Sequence, residues 1–304
     1  MKNKTCIIIV GPTAVGKTSL AVSVAQHFKT EIISADSRQC FKELNIGVAK
    51  PDDEQLQEVK HWFINSHSIT DEVNAAIFEQ YALQTINTIF KKHDVAVMVG
   101  GTGLYIKTFS EGIDEVPVIK PEVREKIKFD FEWEGIEWLQ KEVQKTDPLY
   151  FEKGEIKNPQ RLIRALEVKL STGKSIIEFQ TKQKKERDFN IIKIGLELPR
   201  EELYKRINNR VDVMTKDGLL GEVKSLAKFK NLNALQTVGY RELFGHIEGD
   251  ISLADAIEII KINTRHYAKR QITWFKKDTE VKWLSPTTAL NIIVEALQNP
   301  SPLV

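Results

Sequence analysis

Residues 5–18 read TCIIIVGPTAVGKT, and this stretch predicts more of the fold than any other part of the chain. Its first six residues form an apolar, β-branched run, which is typical of a strand buried on both faces of a parallel sheet. The next eight match the pattern G-x-x-x-x-G-K-[ST], and residues 17–28 carry apolar side chains at helical spacing. A strand, a glycine-rich loop and a helix in this order predict a P-loop, which binds phosphate groups.

The loop has the chemistry that a diphosphate requires. Its glycines allow consecutive backbone N–H groups to face one point, and the helix that follows adds the positive end of its dipole. Lys17 supplies a positive charge and Thr18 a hydroxyl for Mg²⁺, the cofactor that we expect. We therefore predict a diphosphate site made of Gly11, Pro12, Thr13, Ala14, Val15, Gly16, Lys17 and Thr18.

The usual equipment for hydrolysing a nucleotide is missing from the sequence. An NTPase normally carries an Asp at the end of a later strand, where it holds Mg²⁺. The obvious candidate, residues 94–99 (DVAVMV), runs into the glycine-rich residues 100–103 with no carboxylate at its end. We therefore expect the loop to bind a phosphate-bearing substrate rather than a nucleotide used as fuel.

The composition is that of an ordinary soluble protein and excludes disordered and collagen-like chains. The 304 residues include 44 Lys and Arg against 42 Asp and Glu, and 41% of them are hydrophobic. Two cysteines are too few for a disulfide framework, and no apolar run reaches the roughly 18 residues that a membrane span needs. We expect a cytoplasmic protein of about two domains that acts as a monomer without a membrane partner.

Short β-branched runs alternate with helical patterns along the chain, which predicts βαβ units and a parallel sheet. Strands are expected at residues 5–10, 31–34, 94–99, 191–198 and 281–284, and helices at 17–28, 78–90, 201–229 and 253–276. Residues 118–190 are charge-rich and mostly helical in pattern, with no convincing strand. We therefore expect an α/β fold with a P-loop NTPase-like parallel sheet core at 1–117 and 191–304, interrupted by a mostly helical insertion domain at 118–190.

Two further loops follow strands of the expected sheet. Asp36 comes just after the strand at 31–34, and Gly100-Gly-Thr-Gly103 follows the strand at 94–99. Because the carboxyl ends of parallel strands line the ligand crevice, Asp36 is expected beside the P-loop, where it can accept a proton. Taken singly, Asp36 is as readily a turn or N-cap residue and the glycines a plain tight turn. Their expected convergence on one sheet edge favours a functional site.

Basic residues alternate with aromatic ones near the end of the chain. Residues 264–277 read TRHYAKRQITWFKK, and this mixture suits RNA, whose phosphates meet cations and whose bases stack on rings. A solvated helix face whose aromatic residues belong to the core explains the pattern equally well. An arginine aimed at a diphosphate would stabilise charge on a leaving group, but spacing alone does not distinguish Arg210 from Arg206.

Nine blocks of the sequence between residues 11 and 275 carry a family resemblance. They are GPTAVGKT, SADSRQ, GVAKP, GGTGLYIK, NPQRLIRALE, RVDVM, GLLGEV, TVGYRE and AKRQITWF. In this order they resemble the tRNA dimethylallyltransferase family, also called isopentenylpyrophosphate transferases, of the bacterial type. The resemblance implies transfer of a dimethylallyl group from dimethylallyl diphosphate to the exocyclic amine of an adenine in tRNA. That adenine lies 3′ of the anticodon in tRNAs that read codons beginning with U, and diphosphate is released.

The resemblance also implies roles for individual residues. Asp36 would be the general base for the adenine amine, and Thr13 and Arg210 would stabilise the departing diphosphate together with Lys17 and Mg²⁺. The contacts to the anticodon stem-loop would come from Asp36, Ser37, Arg38, Gln39, Thr102, Arg124, Gln160, Arg161, Leu162, Ile163, Arg164, Lys269, Arg270, Gln271 and Trp274.

Two other enzymes fit the phosphate loop and stay open at this point. A P-loop kinase for a small metabolite would need a carboxylate to hold Mg²⁺ near the γ-phosphate, and the sequence offers only Asp36. An adenylate isopentenyltransferase would prenylate a free nucleotide and would not need the basic aromatic segment. A non-catalytic RNA-binding module would leave the phosphate loop and Asp36 without a role.

Overall fold

The computed structural model describes residues 4–117, 119–181 and 183–298. The chain divides into two compact units, a core of Met1–Glu111 with Glu186–Val304 and an insertion of Gly112–Lys185. The insertion expected from the sequence, 118–190, begins and ends a few residues later, and its first residue, Val118, lies outside the described part.

A six-stranded sheet forms the centre of the core. In chain order its strands are β1 (Thr5–Val10), β2 (Ile32–Ser34), β3 (His61–Trp62), β4 (Val95–Val99), β5 (Asn190–Leu196) and β6 (Val281–Leu284). Their spatial order is β3-β2-β4-β1-β5-β6, and every pairing is parallel. All six residues of β1 are buried, as its continuous apolar run predicts for a central strand covered on both faces.

Helices cover the sheet and build the insertion. They are α1 (Lys17–His27), α2 (Asp53–Glu58), α3 (Ala75–Phe90), α4 (Gly103–Glu111), α5 (Pro121–Thr146), α6 (Pro148–Lys153), α7 (Pro159–Thr172), α8 (Arg200–Lys216), α9 (Leu219–Ser225), α10 (Tyr240–Glu248), α11 (Leu253–Phe275) and α12 (Ala289–Gln298). In the parts of the chain that the structure describes, no helix is both long and apolar enough to cross a membrane.

The single helix expected over 201–229 is wrong. The chain ends α8 at Lys216, starts α9 at Leu219 and closes with a short turn of 3₁₀ helix at Ala227–Phe229. Gly218 separates α8 from α9 because it adopts a left-handed conformation with φ of +100°, which only glycine takes at little cost. Glu222, on α9 after this break, accepts a hydrogen bond from the turn at Ile46–Val48.

The insertion has its own small hydrophobic core. Helices α5 and α7 pack together through buried residues that include Leu139, Val143, Leu162 and Leu166. Helix α5 is interrupted at Gly135, whose φ of 76° lies outside the helical region. Among its described residues the insertion contains helices and turns but no strand. The predicted class, a parallel α/β core with a mostly helical insertion, is confirmed.

Candidate functional site

Three loops of the core meet at one edge of the sheet. Strands β1, β4 and β2 are parallel neighbours, so residues 11–18, 36–39 and 100–103 all leave the sheet at its carboxyl edge. The loops touch through their backbones, since the Thr102 N–H donates to the Ala35 carbonyl at 3.3 Å. A Cβ on Gly100 would lie 2.2 Å from the Ala35 carbonyl oxygen, which is why glycine is required there. The convergence predicted from the sequence is confirmed.

The P-loop is bent by two glycines with positive φ. Gly11 has φ of +143°, and a Cβ there would lie 2.7 Å from the Leu196 carbonyl oxygen of β5. Gly16, with φ of +102°, precedes the first residue of α1. The bends bring the start of the loop back onto itself, so that the Lys17 ammonium donates to the Pro12 carbonyl at 2.7 Å. The Lys17 side chain thereby spans the curve of residues 11–18.

The charges around Lys17 change its protonation. Burial among protein atoms and, to a smaller extent, the neighbouring Arg210 guanidinium together lower the pKa of the Lys17 ammonium to about 7. Asp36 acts in the opposite direction and raises it. A cation that is both desolvated and repelled by a second cation is stabilised by an anion placed beside it, so a diphosphate in the loop would raise this pKa.

Asp36 is both a turn residue and a residue of the site. Its Oδ1 accepts hydrogen bonds from the backbone N–H groups of Arg38 at 2.9 Å and Gln39 at 3.3 Å. Aspartate favours turns of this geometry, because its side chain can bind the backbone two residues further on. No described residue hydrogen-bonds to Oδ2, and the side chain lines a cavity with Thr13 and Arg210. The turn bonds therefore hold the carboxylate in place and leave one oxygen free to accept a proton.

The structure distinguishes the two candidate arginines of α8. The Arg210 guanidinium donates to the Thr13 hydroxyl at 3.3 Å and to the Ala49 carbonyl at 3.5 Å. Arg206 also lines a cavity beside Lys17, but it makes no hydrogen bond to the loop in the described residues; it is exposed and forms an ion pair with Glu202 one turn earlier on the helix, at 2.7 Å. Burial lowers the pKa of Arg210, and Asp36 counteracts that shift, so Arg210 remains a cation directed at the P-loop.

Gln271 of α11 ties two of the loops together. Its side-chain oxygen accepts from the Thr13 N–H at 2.8 Å, and its side-chain nitrogen donates to the Gly101 carbonyl at 3.0 Å. The residue is buried, with 5% of its surface exposed. Both ends of this amide are thus engaged inside the protein, so Gln271 sets the spacing between the P-loop and the second glycine loop.

A cavity of about 360 Å³ opens beside these groups. Polar and charged residues line part of it, among them Thr13, Asp36, Arg210, Arg241 and Arg270. Apolar residues supply another part of the lining, namely Val48, Ile207, Val211, Met214, Leu219, Val238 and Ile260. A compartment with a cationic end and an apolar wall suits a ligand with a charged head and a short hydrocarbon tail.

The oxygen ligands for a divalent cation are few. Thr18 and Asp36 line a small cavity of about 80 Å³ together with Lys17, whereas the described residues contain no cluster of three or more His, Cys, Asp or Glu that could hold a metal. Mg²⁺ keeps several waters and is typically held by one or two protein groups plus substrate phosphates. The donor set therefore fits a Mg²⁺ ion that arrives with a diphosphate and not a permanently bound metal.

The residues expected to contact tRNA lie in both units. In the core, the Ser37 N–H donates to the Thr102 hydroxyl at 3.0 Å, while Lys269 and Arg270 are exposed on α11. Trp274 packs so closely on the second glycine loop that a Cβ on Gly103 would lie 2.2 Å from its indole nitrogen. Of these residues, Ser37 and Arg270 also line the cavity of about 360 Å³.

In the insertion, two of the expected tRNA contacts share a buried acid. Arg124 and Arg164 form ion pairs with Glu167 at 3.0 and 3.4 Å, while Gln160 and Arg161 are exposed near the start of α7. Leu162 and Ile163 are buried in the core of the insertion, so their side chains do not face solvent here. The tRNA contacts expected of all these residues, in the core and in the insertion, stay predictions.

Sequence reasoning missed the wall of the site. Residues 47–49 and 236–239 line it and were given no role, and Glu222, which binds the turn that leads into the first of these segments, was not singled out. The blocks GVAKP (47–51), GLLGEV (218–223) and TVGYRE (237–242) include most of these residues, but no pattern in the sequence predicts that the three segments meet.

Comparison with known proteins gives a consistent result. A family model described as IPP transferase matches residues 39–278. A tRNA dimethylallyltransferase of Christiangramia forsetii is 52% identical over 277 residues, which cover 91% of this chain and 92% of that protein. A tRNA dimethylallyltransferase of Cytophaga hutchinsonii is 49% identical and covers 97% of each chain.

Solved structures extend the likeness to the fold. A tRNA isopentenylpyrophosphate transferase of Bacillus halodurans superposes with a TM-score of 0.71 at 32% identity, covering 98% of this chain and 97% of that one. A eukaryotic dimethylallyltransferase acting on tRNA gives a TM-score of 0.79 at 26% identity, covering 97% of this chain and 80% of that one. The P-loop NTPase-like fold expected from the sequence is confirmed.

Proposed function

The chain belongs to the IPP transferase family, and from that membership we propose that it is a tRNA dimethylallyltransferase. It transfers the five-carbon group of dimethylallyl diphosphate to the exocyclic amine of the adenine 3′ of the anticodon, in tRNAs that read codons beginning with U. One observation supports this function above the others. Asp36, Thr13 and Arg210 line a single cavity that has an apolar wall and adjoins the P-loop.

The donor is held by its charged end. The P-loop and Lys17 surround the diphosphate, and Arg210 reaches the same loop through Thr13. The apolar lining of the cavity receives the dimethylallyl group, which excludes water from the carbon that reacts. Mg²⁺, held by Thr18 and the diphosphate oxygens, would supply further neutralisation of charge on the leaving group.

The chemistry is one substitution at the allylic carbon. The adenine nitrogen forms a bond to C1 of the donor while the bond from C1 to the diphosphate oxygen breaks and its electron pair leaves with diphosphate. The amine is a weak nucleophile because its lone pair is delocalised into the ring, so removal of its proton during attack lowers the barrier. Asp36 is positioned to take that proton on the oxygen that the turn does not use. Lys17, Arg210 and the Thr13 hydroxyl stabilise the negative charge that develops on diphosphate.

The tRNA is recognised through its phosphates and through an unstacked base. Lys269 and Arg270 on α11 offer exposed cations, and Arg38 and Arg270 reach the rim of the cavity. The target adenine must leave the stack of the anticodon loop to reach Asp36, as in other enzymes that modify a base. A basic rim around a cavity that admits one base is suited to this task.

The proposed function is tested by incubating the protein and Mg²⁺ with dimethylallyl diphosphate and an unmodified tRNA that has adenine 3′ of its anticodon. Mass spectrometry of the digested tRNA is expected to find one added five-carbon unit, with AMP and ATP in the same reaction unchanged. Modified AMP or ATP with unmodified tRNA would assign the protein to the adenylate isopentenyltransferases. Consumption of ATP without prenyl transfer would support a kinase.

Asp36→Asn tests the assignment of the base. The amide oxygen can still accept the turn hydrogen bonds from Arg38 and Gln39, but the side chain can no longer take a proton. We expect the single-turnover rate to fall by about 10²- to 10⁴-fold, with the Kd for tRNA within a few-fold of the unaltered protein. Asp71→Asn is the matched control, because Asp71 also caps a turn, at Ser68, but lines none of the cavities of the site. A rate that survives Asp36→Asn would refute this role.

A further inference from the structure

Glu222 makes an unusual set of hydrogen bonds outside the reacting groups. Its Oε2 accepts from the backbone N–H groups of Asn45 at 3.1 Å and Ile46 at 2.7 Å, and its Oε1 accepts from the Gly47 N–H at 3.1 Å. These donors are three consecutive residues at the start of a short 3₁₀ turn, and Glu222 lies some 176 residues further along the chain. One carboxylate thus caps a turn that belongs to a distant part of the fold.

Tyr240 contacts both the Glu222 carboxylate and the same turn. Its hydroxyl donates to Glu222 Oε1 at 2.6 Å, and its side chain is fully buried. The ring lies so close to Gly47 that a Cβ there would be 2.6 Å from the ring edge. Helices α9 and α10 therefore hold the turn by charge-assisted hydrogen bonds and by direct packing.

The turn ends at the site. Val48 lines the cavity, and Ala49 adopts φ of +48°, a left-handed conformation that costs energy for a residue other than glycine. The Ala49 carbonyl accepts from Arg210 at 3.5 Å and from the Gln39 side chain at 2.9 Å. The strained residue thus carries one of the two acceptors that orient the Arg210 guanidinium, the other being the Thr13 hydroxyl.

We propose that Glu222, supported by Tyr240, is a positioning residue that holds the 45–49 turn and thereby aims Arg210 at the diphosphate. Glu222 does not itself touch the donor, and it acts through the Ala49 carbonyl. The inference rests on the proposed function, because that function supplies the reaction in which Arg210 takes part. The expected effect on diphosphate binding, however, does not depend on prenyl transfer. The hydrogen bonds of the carboxylate offset part of the strain at Ala49, together with the packing of Tyr240 on Gly47 and the hydrogen bond from Gln39.

Glu222→Gln is the sharpest variant. It preserves the size of the side chain but replaces one acceptor oxygen by an NH₂ group. That group would face either the backbone N–H of Gly47 or those of Asn45 and Ile46, none of which can accept a hydrogen bond. The turn must then move, and a misplacement of about 1 Å in a group that stabilises the transition state costs about 10²-fold in rate. We expect a single-turnover rate lowered by about 10- to 100-fold, an unchanged Kd for tRNA, and weaker binding of inorganic diphosphate.

A double-mutant cycle distinguishes positioning from general loss of structure. If Glu222 acts through Arg210, then Glu222→Gln in an Arg210→Gln background should slow the reaction by no more than about 2-fold beyond Arg210→Gln alone. Glu79→Gln is the matched control. It breaks another buried acid's pairing, with Arg187 at 2.6 Å, and should lower thermal stability without changing diphosphate affinity or the rate at permissive temperature.

Two results would overturn the proposal: multiplicative losses in the double variant, or a folded Glu222→Gln protein with normal diphosphate affinity. Should Glu222→Gln fail to fold, Tyr240→Phe removes a single hydrogen bond to the same carboxylate and is expected to give a smaller, few-fold loss with the same lack of additivity. Calorimetric titration with inorganic diphosphate needs no prenyl transfer. If the unaltered protein transfers no prenyl group but Glu222→Gln still weakens diphosphate binding, the positioning role is supported and the proposed function is rejected.

Discussion

The protonation of Lys17 makes the affinity for the donor depend on pH. Burial and the neighbouring Arg210 guanidinium lower the pKa of this ammonium to about 7, and a bound diphosphate would raise it again. Because the ligand favours the protonated form, binding at higher pH must take up a proton, and affinity must fall as pH rises. With a pKa of about 7 the free protein keeps only about one tenth of Lys17 protonated at pH 8.

The size of the effect follows from this fraction. The Kd for dimethylallyl diphosphate should increase about tenfold between pH 7 and pH 8.3, and about tenfold again between pH 8.3 and pH 9.3. Each tenfold increase corresponds to a loss of about 1.4 kcal/mol in binding free energy. The terminal phosphate of the ligand ionises near pH 6 and stays fully charged over this range. Isothermal titration at constant, saturating Mg²⁺, in two buffers of different ionisation enthalpy, measures the protons taken up, and we expect close to one per donor at pH 8.5.

Lys17→Arg provides the control. A guanidinium stays protonated over the whole range, so the variant should take up no proton and show a flat Kd, whatever its absolute affinity. Proton uptake near zero at pH 8.5 in the unaltered protein would refute the argument, because it would mean that Lys17 is already charged before the donor binds.

Two further predictions concern the rim of the site and its loops. Lys269→Ala combined with Arg270→Ala should weaken tRNA binding and reduce the slope of log Kd against log salt by about two, as measured by titration between 50 and 200 mM salt. An unchanged slope would mean that this face of α11 is exposed to solvent and does not contact tRNA. Gly101→Ala would place a Cβ 2.1 Å from the Gln271 side-chain nitrogen and should lower both the Tm and the affinity for diphosphate, whereas Gly221→Ala, with open space around it, should leave both unchanged.

The elements that the sequence predicts well are those whose signal is local. The central strand β1 is a continuous apolar run, and its burial on both faces leaves no polar position to interrupt it. Strand β3 was missed because it has only two residues, His61 and Trp62, and no period can be read from two. The helix expected over 201–229 failed at Gly218, where a single backbone conformation outweighs the helical pattern on either side.

The site shows the same division. The P-loop and Asp36 follow strands directly, so topology alone brings them together. Arg210 could not be separated from Arg206 by spacing, because the choice depends on the Thr13 hydroxyl about 197 residues away. Glu222 and the backbone N–H groups that it binds are almost as far apart in sequence. A glutamate in a sequence gives no sign that its carboxylate caps a distant turn.

The place of β5 in the sheet bears on how the protein is made. Strand β1 pairs with β4 on one side but with β5 on the other, and Thr5 meets Asn190 only after the whole insertion has been synthesised. At ordinary translation rates of 5–20 residues per second, about ten to forty seconds pass between the synthesis of β1 and that of β5, its partner on one side. During that interval the backbone N–H and C=O groups on one edge of β1 have no partner strand, and such an edge can pair with other chains. Residues 112–185, which have their own core, emerge in the meantime, so we expect the insertion to fold on the ribosome before the sheet can close.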